Sequence, residues 1–248
     1  MNVIYTLWLR QIKRYLRSRA RIVGSLGQPV LFMVALGFGF GPIYQQAGGG
    51  DYISFLAPGV IAMSILFSAI FTGIEVIWDK KFGFLKETLV SPVPRYKIML
   101  GRTLGGATVA VIQGVIVFFI TMLFGFRPDS WALFPLALVF MFIIALLFTA
   151  LGTAIASILE DMQGFQLIMN FLVMPVFFLS GALFPLKNLP PSILIISQID
   201  PLSYGVDGLR ASLINVSYFG ITLDLGVLLV VTFIFMSVGT YLFSKIEA

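Results

Sequence analysis

The sequence predicts an all-α integral membrane protein: six transmembrane helices, an N-terminal amphipathic interfacial helix, and short re-entrant outer helices before the last span. Three observations carry this. Only 11% of residues are charged and 59% are hydrophobic, with mean hydropathy +1.01, whereas a water-soluble domain has about 25% charged residues. The apolar residues fall in runs of roughly 20 or more, and at ~1.5 Å per residue each run can cross a ~30 Å hydrocarbon core. Twelve of the sixteen Lys and Arg residues lie in two short segments, Arg10 to Arg21 and Lys80 to Arg102, each bordering such a run. All 248 residues read as one transmembrane domain.

Residues 1–21 form the interfacial helix. Trp8, Ile12, Tyr15 and Leu16 fall on one face, and Arg10, Lys13, Arg14, Arg17 and Arg21 recur at helical spacing on another, a pattern suited to the headgroup region of a bilayer. The first span covers 22–44, with Gln28-Pro29 as a bend near its start and Gly37, Gly39 and Gly41 as a small-residue face. A glycine-rich turn ending at Asp51 leads to the second span, 52–78, bent at Pro58-Gly59. Glu75 is the only ionisable residue in that span. It lies one helical turn from Asp79 and Lys80, so pairing with a nearby Lys or Arg is expected rather than proton carriage.

Residues 79–102 hold six cations and cannot lie in lipid; the positive-inside rule places this connector in the cytoplasm. Phe82, Leu85 and Leu89 stand at i, i+3 and i+7, an apolar stripe flanked by Lys81, Lys86 and Glu87. The run Ser91-Pro92-Val93-Pro94 then stops the helix. Such a helix can dock in a partner's groove or rest on headgroups, and spacing alone leaves both open. The third span covers 103–126, the fourth 131–159 and the fifth 163–186, the last containing Asn170 and Pro175. Residues 187–221 hold apolar stretches too short to cross a bilayer and are read as re-entrant outer helices; the last span is 225–244. Thirteen cations fall on the cytoplasmic side of this scheme against three outside, at Arg127, Lys187 and Arg210, which places both termini in the cytoplasm.

The chain contains no His and no Cys, which removes imidazole and thiol chemistry and the metal sites built from them. No phosphate-cradling Gly-x-x-x-x-Gly-Lys-[Ser/Thr] run occurs, and no span carries an arginine ladder. The net charge of +5 sits at membrane borders, where it sets topology and meets lipid headgroups, so nucleic acid is not an expected partner. No catalytic residue, cofactor or metal is expected in this chain. A conduit whose energy arrives through the 79–102 loop fits these features. An ion-gradient-driven secondary carrier and a membrane scaffold for a partner protein are the alternatives.

Two blocks carry a family likeness: Phe-Gly-Phe-Leu-Lys-Glu-Thr-Leu-Val-Ser-Pro-Val-Pro-Arg at 82–95, and Phe-Leu-Ser-Gly-Ala-Leu-Phe-Pro-Leu-Lys-Asn-Leu-Pro at 178–190 followed by Asp-Pro-Leu-Ser-Tyr-Gly-Val-Asp-Gly-Leu-Arg at 200–210. With the basic N-terminal helix and six spans, the chain resembles the permease subunit of type-2 ABC exporters, in the daunorubicin-resistance and nodulation-type branch. The resemblance implies an inner-membrane subunit that pairs with a second permease copy, as a homodimer, and with two copies of an ATP-binding cassette subunit, which holds ATP and Mg. It implies that Phe82, Leu85, Glu87, Leu89, Pro92 and Arg95 form the coupling element received by that subunit, with Glu87 and Arg95 as polar contacts. It also implies an outer gate near Phe184, Pro185 and Tyr204. Family cargoes include drugs, lipid-linked glycans and lipids, so an amphipathic, lipid-like or drug-like substrate is expected.

Overall fold

The structure is a computed structural model and describes residues 2–48, 50–85, 88, 93–188 and 190–246. Among these, six helices are long and apolar enough to cross a membrane: Arg19–Gln46, Tyr52–Lys81, Arg95–Leu123, Trp131–Ile158, Met162–Leu179 and Ile221–Ser244. The chain is an all-α integral membrane protein.

Helix α1 (Val3–Arg17) is capped by the Asn2 side chain, which accepts from the Ile4 N–H. The first span is α2 (Arg19–Phe32), a π-helical segment (Met33–Phe38) and α3 (Gly39–Gln46). The second is the unbroken α4 (Tyr52–Lys81), whose first turn is capped by Asp51 accepting from Ile53 and Ser54. Helices α5 (Arg95–Leu123) and α6 (Phe134–Ile158) follow. The fifth span is α7 (Met162–Ile168), a π-helical turn (Met169–Val173) and α8 (Met174–Leu179). Two short helices, α9 (Pro191–Ile199) and α10 (Pro201–Ile214), precede the last span, α11 (Ile221–Ser244).

The core is the packing of α4, α5 and α6, with α10 inserted beside them. Lipid tails are as apolar as leucine, so helices in a membrane gain little from burying bulk and more from close approach of backbones. Gly73 of α4 and Gly152 of α6 supply that approach: a Cβ on Gly73 would stand 2.4 Å from the Gly152 carbonyl oxygen. By contrast the first, fifth and last spans leave most of their residues outside this core.

Three boundaries and one buried face differ from those expected. The third span begins at Arg95 rather than 103, because Arg102 is not a water-facing loop residue: it is 3% exposed with its guanidinium on Asp79. The fifth helix ends at Leu179 rather than 186, because Gly181 at φ +73° turns the chain away. The last span starts at Ile221, taking Asp224 into its first turn. On α1 the buried stripe is Leu7, Gln11 and Tyr15, while Leu16 is exposed. That helix packs along α5, whose Thr108 and Gln113 accept from the Trp8 indole (3.0 Å) and the Tyr15 hydroxyl (2.6 Å), so its buried face is partly polar.

Candidate functional site: the α4–α5 hairpin and its anchorage

The chain leaves α4 at Phe82 and turns at Gly83, whose φ of +78° is open to glycine and strained for other residues. Phe84, Leu85 and Thr88 are again helical, and the Thr88 hydroxyl donates to the Phe84 carbonyl at 2.9 Å. Of the six coupling residues expected, Glu87, Leu89 and Pro92 lie outside the described residues. The other three have separate fates. Phe82 is 73% exposed and packs on Trp78, ring centroids 5.3 Å apart, giving an aromatic pair at the surface. Leu85 is 1% exposed, folded into the chain's own core. Arg95 donates to the carbonyls of Ser244 and Ile246 at the end of α11, so its charge serves the C-terminal dipole of that helix.

Behind the hairpin lies a cluster of four arginines and two carboxylates. Asp79 takes Arg102 from α5 and Arg10 from α1, the latter in two bonds of 3.2 and 3.3 Å. Glu75, one turn away, takes Arg21 and, at 3.6 Å, Arg14. Glu75 is thus paired, as its position near the basic segments led one to expect. The Arg10 guanidinium also lies 3.7 Å over the Phe84 ring, which ties the hairpin to α1. Lys80 donates to the carbonyls of Ala156, Ser157 and Leu159, closing the end of α6. Lys13 and Arg17 are exposed on α1. One end of the bundle is therefore a single electrostatic unit through which the hairpin, α1, α4 and α5 are held together.

At the opposite end the two parts of the second sequence block, 178–190 and 200–210, meet. Arg210 of α10 donates to the carbonyls of Gly181 (2.8 Å) and Ala182 (3.1 Å), and its guanidinium stacks 3.8 Å over Phe55 of α4. Burial lowers its pKa to about 10, so it stays charged at neutral pH. The 180–186 turn rests on α4, where a Cβ on Gly59 would stand 2.3 Å from the Ala182 oxygen, and the Tyr52 hydroxyl donates to the Leu183 carbonyl at 3.1 Å. Asp207, one turn before Arg210, instead accepts from the Tyr218 and Phe219 N–H groups and the Ser217 hydroxyl, folding the loop into α11. Phe184 and Pro185 line a small apolar pocket with Phe40 and Tyr44 of α3. Tyr204 is elsewhere, stacked on Phe219 at 4.6 Å with its hydroxyl on the Gln198 carbonyl. The three expected gate residues are thus split between two faces.

Sequence reasoning passed over Asp79, Arg102 and Arg10 as a unit, and Asp224, which is fully buried and close to Asp207. The available signal was the carboxylate itself: Asp79 and Asp224 each border or enter an apolar run, where an acid is costly unless held.

Residues 2–214 match the family model described as ABC-2 type transporter. Nodulation protein J of Rhizobium leguminosarum bv. viciae is 26% identical over 242 residues, 96% of this chain and 93% of that protein. The inner membrane transport permease YadH of Escherichia coli (strain K12) is 27% identical over 228 residues, 91% of this chain and 88% of that protein. The putative transport permease ycf38 of Cyanophora paradoxa is 24% identical over 261 residues, 98% and 88% respectively. With six apolar helices and a family model spanning all but the last of them, the chain belongs to the ABC-2 type transporter family, as a membrane permease.

Proposed function

We propose that this permease carries an amphipathic, lipid-like or drug-like substrate outward across the cytoplasmic membrane, driven by ATP hydrolysed in a separate cassette subunit seated on the hairpin. Both termini and the hairpin then lie in the cytoplasm, and two permeases, as a homodimer, take two ATP-binding subunits. The observation that carries this reading is the anchorage of the hairpin: Asp79 joins it to α5 through Arg102 and to α1 through Arg10, and Phe82 stands exposed where it leaves α4. A push on Phe82 would reach three helices through short, partly buried contacts and move them as a body. Removing one partner of a buried pair typically costs about 3 to 5 kcal/mol, so the unit resists coming apart under that push.

The irregular spans support the same reading. The π-helical segments of the first and fifth spans lie in helices that the core leaves uncovered, and Phe32 of α2 meets Phe177 of α8 edge to face at 5.8 Å. π-Bulges loosen the backbone ladder and recur at functional sites.

Phe82→Asp is the test. It alters an exposed side chain, so insertion and thermal stability are expected to stay at the parent level. Substrate-stimulated ATP hydrolysis by the complex with the cognate cassette subunit is expected to fall to its basal rate. Parent-level stimulation in the reconstituted variant would count against docking at Phe82. Leu85→Asp is a poorer probe, because it buries a charge inside the permease itself.

A further inference from the structure

From the same basic cluster a groove of about 560 Å3 runs between α2 and α4. Arg14, Arg21 and Glu75 stand at one end with Trp78, and Pro29, Met63 and Phe67 line the remainder, interspersed with the small polar residues Ser64 and Ser68 and with Gln28. From Glu75 to Met63 along α4 is ~18 Å at ~1.5 Å per residue, about the length of a fatty-acyl chain. The polar end is unbalanced. Two arginines face one carboxylate there, and the next pair up the cluster, Arg10 and Arg102 on Asp79, repeats the same excess. Arg14 is the loosest member: its side chain is 42% exposed, its contact to Glu75 is 3.6 Å, and the Glu75 Oε2 it faces accepts no hydrogen bond among the described residues.

We infer that this groove binds an anionic amphiphile, with its acidic head group on Arg14 and Arg21 and its hydrocarbon along Pro29, Met63 and Phe67. The inference rests on the permease reading and narrows its substrate class. An acid at Arg14 neutralises a charge excess at the membrane border and gains charge-assisted hydrogen bonds. A cationic amphiphile would meet two guanidinium groups and is disfavoured by the same charges. The head group can belong to a resident acidic bilayer lipid or to the exported cargo, since both present the same chemistry.

Binding is measured on the purified chain in a neutral detergent, so it does not depend on any ATP-binding partner. Dodecyl phosphate, dodecylphosphocholine and dodecyltrimethylammonium are titrated separately, read by Trp78 fluorescence in a Trp8→Phe, Trp131→Phe background. Dodecyl phosphate is expected to saturate at least about tenfold tighter than the other two, roughly the 1.4 kcal/mol of one modest ionic contact. Arg14→Gln is expected to bring the three within about twofold of one another, while Arg14→Lys keeps the preference. Ser68→Phe, which fills the groove beside Phe67, is expected to weaken all three. Equal binding of the three head groups, or a preference that survives Arg14→Gln, overturns the inference.

In the assembled complex, stimulation of ATP hydrolysis by dodecyl phosphate, lost in Ser68→Phe, assigns the site to cargo. Saturable, Arg14-dependent binding without stimulation assigns it to a resident lipid. Both support the groove. A complex that Phe82→Asp uncouples while the chain shows no head-group preference would spare the permease reading and reject this one.

Discussion

Arg210 and Asp200 show how much of the molecule rests on single buried ionisable groups in and beside the two short helices. Arg210 holds the 180–186 turn against α4, which joins the Ser-Gly-Ala-Leu-Phe-Pro segment to the helix that the Asp-Pro-Leu-Ser-Tyr segment opens. Asp200 caps α10 by accepting from the Leu202 N–H at 2.8 Å, and burial pushes its pKa from 3.8 up to about 8. The folded carboxyl therefore keeps a proton that the unfolded chain has released. Stability contributed by that proton is full below the unfolded pKa, falls as pH rises toward about 8, and is level above it. Asp200→Asn keeps the capping oxygen and cannot titrate. Thermal unfolding from about pH 6 to about pH 8 is expected to show a smaller fall in midpoint for the variant than for the parent. Equal slopes would mean that Asp200 does not hold its proton in the folded chain.

At the scale of elements, the contact that positions the far-end turn is Gly59 under the Ala182 carbonyl. Gly59→Ala places a methyl group 2.3 Å from that oxygen, so the turn must lift from α4. Overpacking of this kind costs about 1 to 3 kcal/mol, to be read as an earlier midpoint in detergent unfolding; an unchanged midpoint would show that the turn gives way freely. The spans themselves were legible, because twenty apolar residues in a row leave few other structures available. Their ends were less so. Arg102 reads as a loop residue until Asp79 is found beside it, and Ala182, Leu183 and Phe184 continue an apolar run that the backbone abandons at Gly181. The amphipathic period of α1 was visible too, but which face it buries depends on Thr108 and Gln113 of a helix far along the chain. Hydropathy cannot register a polar face that is buried because a partner matches it.

Across the whole molecule, charge and apolar surface are sorted along one axis. The arginine cluster closes one end, the Arg210 clamp closes the other, and the irregular first and fifth spans line the uncovered face between them. On that face the basic groove at Arg14 and Arg21 is followed by an apolar pocket from Leu31 through Phe178 to Phe184. Family membership and the location of the hairpin were both within reach of the sequence. The division of labour inside the hairpin was not, since Phe82 and Leu85 are equally apolar and only the fold turns one outward and the other inward.

The central claim is that the hairpin faces the cytoplasm and is covered at Phe82 by an ATP-binding subunit. The chain has no cysteine, so Phe82→Cys creates its only thiol, and labelling with a membrane-impermeant maleimide reports that position alone. Labelling is expected in inside-out vesicles, absent in right-side-out ones, and blocked when the cognate ATP-binding subunit is present. Labelling from the outer side, or labelling that the bound subunit leaves unchanged, would contradict the claim.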